Sequence, residues 1–140
     1  MNALITVETD AFEHRHVKPH FINPCCFGED FASWLKKELT GTAHFDFQLS
    51  DPIQEDYGWG LWASRSKDRY WIALSYFGDG PQEPPAKWII SVTYDRGLNL
   101  VDRLFHRNRA GVEQQLRNIV RETVISNHAT RIVSDSSYEP

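Results

Sequence analysis

Between residues 57 and 94 the chain carries nine large aromatic side chains: Tyr57, Trp59, Trp62, Tyr70, Trp71, Tyr76, Phe77, Trp88 and Tyr94. They fall at strand-like spacings, and this constrains the fold more than any other feature. Successive residues of a strand point to opposite faces, so residues of one parity line one face of a sheet. The segment therefore reads as a twisted antiparallel sheet, apolar on one face and partly aromatic on the other. A solvent-facing aromatic patch usually marks a contact surface.

The polar turn Ser66-Lys67-Asp68 separates residues 57–64 from residues 70–77, which predicts a β-hairpin. With Lys67 and Asp68 at the turn centre, Leu61 falls opposite Leu74 and Trp59 opposite Tyr76. These, with Tyr57, Ala63 and Ile72, form an apolar face toward the helices. On the second face Trp62 falls opposite Ala73, Ser64 opposite Trp71, Gly60 opposite Ser75 and Gly58 opposite Phe77. Three outcomes suit that face: rings covering strand glycines within the fold, cover by a terminal segment or a second subunit, or a ligand or partner groove floored by Gly58 and Gly60. A slip of one residue would exchange the two faces.

Other elements follow from periodicity. Residues 3–8 are β-branched and apolar, which predicts a strand. Residues 15–21 read as an extended edge piece, since Pro19 disfavours helix at Lys18. Phe27, Phe31, Trp34, Leu35 and Leu39 line one helical face. Glu29 and Asp30 suit the positive end of that helix, and Lys36 and Lys37 the negative end. Asn23-Pro24 could cap it and Gly41 ends it. Residues 43–49 alternate, with Phe45, Phe47 and Leu49 on one side, as in a half-buried strand. Residues 78–85 are a loop by composition, and residues 87–94 the next strand.

A second helix spans about residues 111–127. Its apolar stripe is Val112, Leu116, Ile119, Val120 and Val124, and its wet side Gln114, Arg117, Asn118, Arg121 and Glu122. Residues 98–106 fit helix and strand equally well. Residues 131–133 read as a last edge strand and residues 134–140 as a frayed tail. The whole predicts one α+β domain over residues 1–140: an antiparallel sheet of four or more strands with two main helices on one face. Trp34, Leu35, Trp59, Leu74, Ile90, Leu116 and Val120 are expected in one core.

At 140 residues, 41% hydrophobic and 24% charged, the chain can build its own core without a metal or disulfides. The net charge of −4 argues against general nucleic-acid binding. The charge is uneven. Residues 1–60 hold ten acids against four Lys or Arg, whereas residues 96–121 hold six Arg against two acids. The Arg group (Arg96, Arg103, Arg107, Arg109, Arg117, Arg121) either faces the acidic region or solvent, or forms an anion-binding patch. No apolar run approaches the ~20 residues that span a bilayer, and the acidic N-terminus lacks signal-peptide features. The adjacent Cys25 and Cys26 cannot readily bridge each other and fit a reducing compartment. A cytoplasmic protein is expected.

Catalytic signals are weak. His14, His16, His20, Cys25 and Cys26 offer zinc-type donors, but their spacing matches no standard finger and no second half closes the site. No metal and no cofactor are expected. Asp51, Glu55 and Asp56 could supply paired carboxylates for glycosidase-like chemistry, yet an acidic loop is usually solvated. A carboxylate beside an aromatic sheet could also hold a cationic group. Cys25 lacks a triad context. The glycines at 58, 60, 78 and 80 do not form a phosphate loop. Residues 104–109 mix basic and aromatic side chains that could touch RNA.

The string Gln54-Glu55-Asp56-Tyr57-Gly58-Trp59, with the Asn23-Pro24-Cys25-Cys26-Phe27 helix entry, resembles small single-domain bacterial proteins of uncharacterised function. That resemblance implies a cytoplasmic bacterial protein and supplies no activity. In size, charge and fold class the chain is also similar to immunity proteins of toxin systems. The expected function is a non-enzymatic interaction domain, immunity-like or adaptor, that binds a protein partner or a second copy. Its candidate binding residues are Trp62, Trp71, Phe77, Gly58, Glu55, Asp56 and Arg103. The competing class is a small enzyme or ligand-binding protein with a pocket between sheet and helix, near Glu55, Asp56, Trp59 and Arg103. A binder should present a flat patch, an enzyme a deep pocket with converging polar groups.

Overall fold

Alternation along the aromatic segment builds the centre of a seven-stranded antiparallel sheet in the computed structural model. The structure describes residues 4–16, 18–21, 27–77, 85–95 and 109–136. Its strands are β1 (Leu4–Glu8), β2 (Gln48–Leu49), β3 (Ile53–Glu55), β4 (Gly58–Arg65), β5 (Asp68–Tyr76), β6 (Lys87–Tyr94) and β7 (Arg131–Asp135). The helices among the described residues are α1 (Glu29–Thr40) and α2 (Arg109–Ile125). The sheet runs β2-β4-β5-β6-β1-β7, and β3 pairs with β4 beside β2. The expected α+β class is therefore the observed one. None of the described helices is long and apolar enough to cross a membrane.

Both helices pack on one sheet face. Phe31, Ala32, Leu35 and Leu39 of α1 and Leu116, Val120 and Val124 of α2 share a core with Trp59, Leu61, Ile72, Leu74, Trp88 and Ile90. Six of the seven expected core residues are buried, and Trp34 packs against their edge. Phe12, Phe31 and Trp88 meet there as a stack and an edge contact, with centroids 4.1 Å and 5.3 Å apart for Phe12–Phe31 and Phe31–Trp88. Such ring geometry adds to the burial of apolar area.

Helix α1 starts at Gly28, whose φ of 134° lies where a side chain is strained. A Cβ there would also sit 3.3 Å from the Trp59 ring. Asp30 holds the preceding loop against the helix. One carboxylate oxygen accepts the Glu13 N–H at 2.7 Å and the other the Phe31 N–H at 2.9 Å. Burial nonetheless raises the Asp30 pKa above its ordinary value.

Several sequence expectations require correction. The β4–β5 turn is centred on Ser66 and Lys67, one residue earlier than expected. Ser66 takes a φ of 55°, as two-residue hairpin turns require. Pairing consequently shifts by two residues: Trp59 lies opposite Leu74, Gly60 opposite Ala73, Leu61 opposite Ile72 and Trp62 opposite Trp71. A shift of two preserves each residue's face, so the core side was assigned correctly although the partners were not. Gly58 consequently lies beside Ser75 rather than Phe77.

Residues 43–47 are not a strand. His44 adopts a φ of 65°, and only Gln48 and Leu49 pair with β4. Phe45 and Phe47 instead pack together and Phe47 meets Tyr70 edge-on at 5.7 Å. Residues 15, 16 and 18–21 are not a strand: Arg15 lies in a bend and residues 19–20 in a turn, with the Phe21 N–H donating to the Lys18 carbonyl. Residues 53–55, expected as loop, form β3. Ser134 and Asp135, expected in a frayed tail, belong to β7. Arg117 is not on a wet face: it is 5% exposed, and its guanidinium donates to the Val92 carbonyl and to Glu113. The Asn23-Pro24 cap, Cys25, Cys26, and residues 78–84 and 96–108 lie outside the described residues.

Candidate binding face

The face of the sheet opposite the helices carries the outward residues of the central strands: Gly60 and Trp62 on β4, Trp71 and Ala73 on β5, Ser91 and Thr93 on β6. Trp62 and Trp71 are a direct cross-strand pair, with ring centroids 4.8 Å apart and planes inclined by 54°. Each is only partly buried. The two indoles have different duties. That of Trp71 lies on the Gly60 backbone, where a Cβ would come within 2.6 Å of its Cη2 atom. Its Nε1–H donates to the Tyr57 hydroxyl at 2.5 Å. That of Trp62 carries the Arg69 guanidinium 4.3 Å above its ring. Arg69 in turn bonds Asp95 at 2.6 Å.

Tyr57 was expected on the apolar face. It stands instead in the two-residue turn between β3 and β4, 48% exposed, with its ring turned to Trp71. A turn residue escapes the alternation that fixes its neighbours. Desolvation raises its phenol pKa above the ordinary value; the Trp71 N–H acts against this, and the Glu55 carboxylate adds to it. Tyr57, Trp62 and Trp71 thus wall a cleft of about 420 Å³, closed by Thr93 and flanked by Glu55 and Asp95.

Of the residues singled out from sequence, the fold brings Trp62, Trp71 and Glu55 together. Gly58 is buried between β3 and β5, where a Cβ would lie 2.6 Å from the Leu74 carbonyl oxygen. Asp56 is exposed in the β3–β4 turn. Phe77 is 54% exposed but six residues beyond Trp71, roughly 20 Å along the sheet, so it does not join the cleft. Arg103 lies outside the described residues. Tyr57, Arg69, Thr93 and Asp95 were missed. The missed signal was β3: once residues 53–55 are a strand, Asp56 and Tyr57 become its turn and Tyr57 is freed from the core. Arg69 shares the outward parity of Trp71, and its position diagonal to Trp62 follows from the corrected register.

Among the described residues named for the alternative pocket between sheet and helix, Trp59 and Glu55 lie on opposite sides of the sheet. Trp59 is buried among the core side chains, whereas Glu55 lines the cleft on the opposite face. Asp51 is drawn off to Lys36 at 2.8 Å, a contact that lowers its carboxyl pKa.

The histidines are dispersed as well. His14 is buried against Tyr76, with Nε2 2.9 Å from Asp10. His16 lies in solvent beside Glu13, and His20 bonds Glu29. Among the described residues, no three His, Cys, Asp or Glu side chains are grouped to hold a metal. A second cleft of about 360 Å³ borders Asp10, Glu13, His14 and Asp30. The Asp10 carboxylate there also accepts the Ala86 N–H at 3.0 Å, which ties this loop to the start of β6. Of the Arg group, the described side chains are committed internally: Arg117 to Glu113 and Val92, Arg121 to Asp135 at 2.7 Å.

Comparison with protein-family models, with curated proteins and with solved structures finds no significant match for this chain.

Proposed function

We propose that this protein is a non-enzymatic cytoplasmic interaction domain, immunity-like or adaptor in role, whose outer sheet face binds a protein partner. One observation carries the reading. Two tryptophans and a tyrosine gather on the sheet face away from the helices, and all three stay partly open to solvent. Large rings held rigid in a sheet lose little side-chain entropy on binding, and tryptophan and tyrosine dominate the energetics of interfaces. The cleft between them is shallow and apolar, with carboxylates at its margin, which suits a protein contact better than a reaction centre.

Affinity capture from the native host tests this reading, with the wild-type chain and the Trp62→Ala variant as baits. The expected result is a partner retained by the wild type and lost by the variant, while both unfold at nearly the same denaturant concentration. Equal retention by the two baits would remove this face from the interaction. Sedimentation of the purified chain at several concentrations shows whether the partner is a second copy.

A further inference from the structure

The proposed interface has a chemical preference that its own side chains display. On this face a guanidinium already lies over an aromatic ring, that of Arg69 over Trp62 at 4.3 Å. The charged groups lining the cleft are Glu55 and Asp95. Asp95 is engaged by Arg69. Among the described residues, no basic side chain pairs with Glu55. An unpaired carboxylate beside the open rings of Tyr57 and Trp71 complements an incoming cation.

We propose that the cleft receives an arginine side chain of the protein partner, stacked on the Trp71–Tyr57 wall with its guanidinium against the Glu55 carboxylate. The inference rests on the outer face being the partner surface and names the group that surface recognises. Arginine fits better than lysine because its planar head can stack on a ring and bond a carboxylate at the same time. Desolvation is the main cause of the raised Tyr57 pKa, and the nearby Glu55 carboxylate adds to it. Trp62 then serves as the rear wall, its own stacking position held by Arg69.

The test uses the whole chain and a defined probe, the capped tripeptide Gly-Arg-Gly, with Gly-citrulline-Gly as its neutral isostere. Indole N–H resonances are followed by NMR during titration. The expected result is movement of the Trp62 and Trp71 signals with the arginine peptide and not with the citrulline peptide. Glu55→Gln should weaken that binding about fivefold, the scale of one partly exposed charge contact. Glu55 is an exposed residue, so this variant should keep its fold. Equal binding of the two peptides would overturn the arginine proposal and leave the contact surface standing. So would absence of shifts with the arginine peptide, or a Glu55→Gln variant that binds as the wild type does. The surface reading itself falls only if Trp62→Ala keeps its partner.

Discussion

The Trp71 indole lies directly on the backbone of Gly60, its diagonal neighbour across the β4–β5 ladder. The ring covers a strand position that has no side chain of its own, and the bare glycine gives the ring its seat. A methyl group at residue 60 would collide with the indole and would also come within 2.7 Å of the Ile72 carbonyl oxygen, which the β-ladder holds in place. Gly60→Ala should therefore destabilise the fold by about 1–3 kcal/mol, the usual cost of overpacking. Urea unfolding measures this, and a loss below about 0.5 kcal/mol would mean that the ring moves aside freely.

The core predicts a second loss. Leu116 is fully buried in the middle of α2 and belongs to the cluster that joins both helices to the sheet. Leu116→Ala should cost about 2–5 kcal/mol, depending on how far the cavity collapses. Chemical denaturation with an unchanged slope would assign the change to the native core rather than to the unfolded chain.

Arg117 gives a third. It links α2 to β6 through the Val92 carbonyl and Glu113, and Glu113 accepts the Tyr94 N–H at 2.8 Å. Arg117→Met keeps the stem and removes the charge. The expected cost is about 2–3 kcal/mol, below the range for a fully buried pair, because the Glu113 side chain remains 27% exposed and can be hydrated. Thermal unfolding at neutral pH checks it.

These residues also show what the sequence could and could not convey. Burial parity in β4, β5 and β6 was legible because period-two alternation survives a register shift of two. The partners across the hairpin were not legible, because they depend on whether Ser66 or Lys67 opens the turn. Arg117 looked like part of a wet helical face; only the packing of α2 on β6 shows that its guanidinium reaches a strand carbonyl. The alternation of residues 43–49 was genuine but short of partners, since only two of its residues lie alongside β4. At the binding face, Trp62, Trp71 and Glu55 were legible from parity and charge. Tyr57 was hidden because β3 is three residues long and follows Pro52, so β3 read as loop and Tyr57 as the first residue of the next strand.

Tyr57 offers a test of the cleft's electrostatics. Ionisation of its phenol places a negative charge near the Glu55 carboxylate, which raises the pKa beyond the effect of burial. Glu55→Gln should therefore lower the Tyr57 pKa, observed by NMR titration of its ring carbons. The sign for stability follows. A phenol whose folded pKa exceeds its unfolded value near 10 contributes stability that is complete below pH 10 and lost as pH rises through the folded pKa. The variant should begin to lose that contribution at the same pH but forfeit less of it. An unchanged Tyr57 titration would place Glu55 too far away to act on the cleft.

The two tryptophans should part company in stability. Trp71 shields Gly60 and bonds the Tyr57 hydroxyl, so Trp71→Ala uncovers strand backbone and releases the β3–β4 turn. Trp62 contacts the Trp71 ring and the Arg69 guanidinium on the surface, and among the described residues no glycine has it as a nearest neighbour. Trp71→Ala should lower unfolding free energy by about 2 kcal/mol or more, since it combines lost aromatic burial with loss of the hydrogen bond to Tyr57. Trp62→Ala should cost about 1 kcal/mol or less, the range for a ring pair and an exposed cation–π contact. Partner binding should fall for both by about 2 kcal/mol or more if the face is a hot spot. Paired measurements of unfolding and binding on the two variants therefore separate the duties: Trp71 acts in fold and contact together, Trp62 in contact alone. Equal destabilisation by the two substitutions would show that Trp62 is also part of the fold's own cover, and loss of stability without loss of binding would remove both rings from the interface.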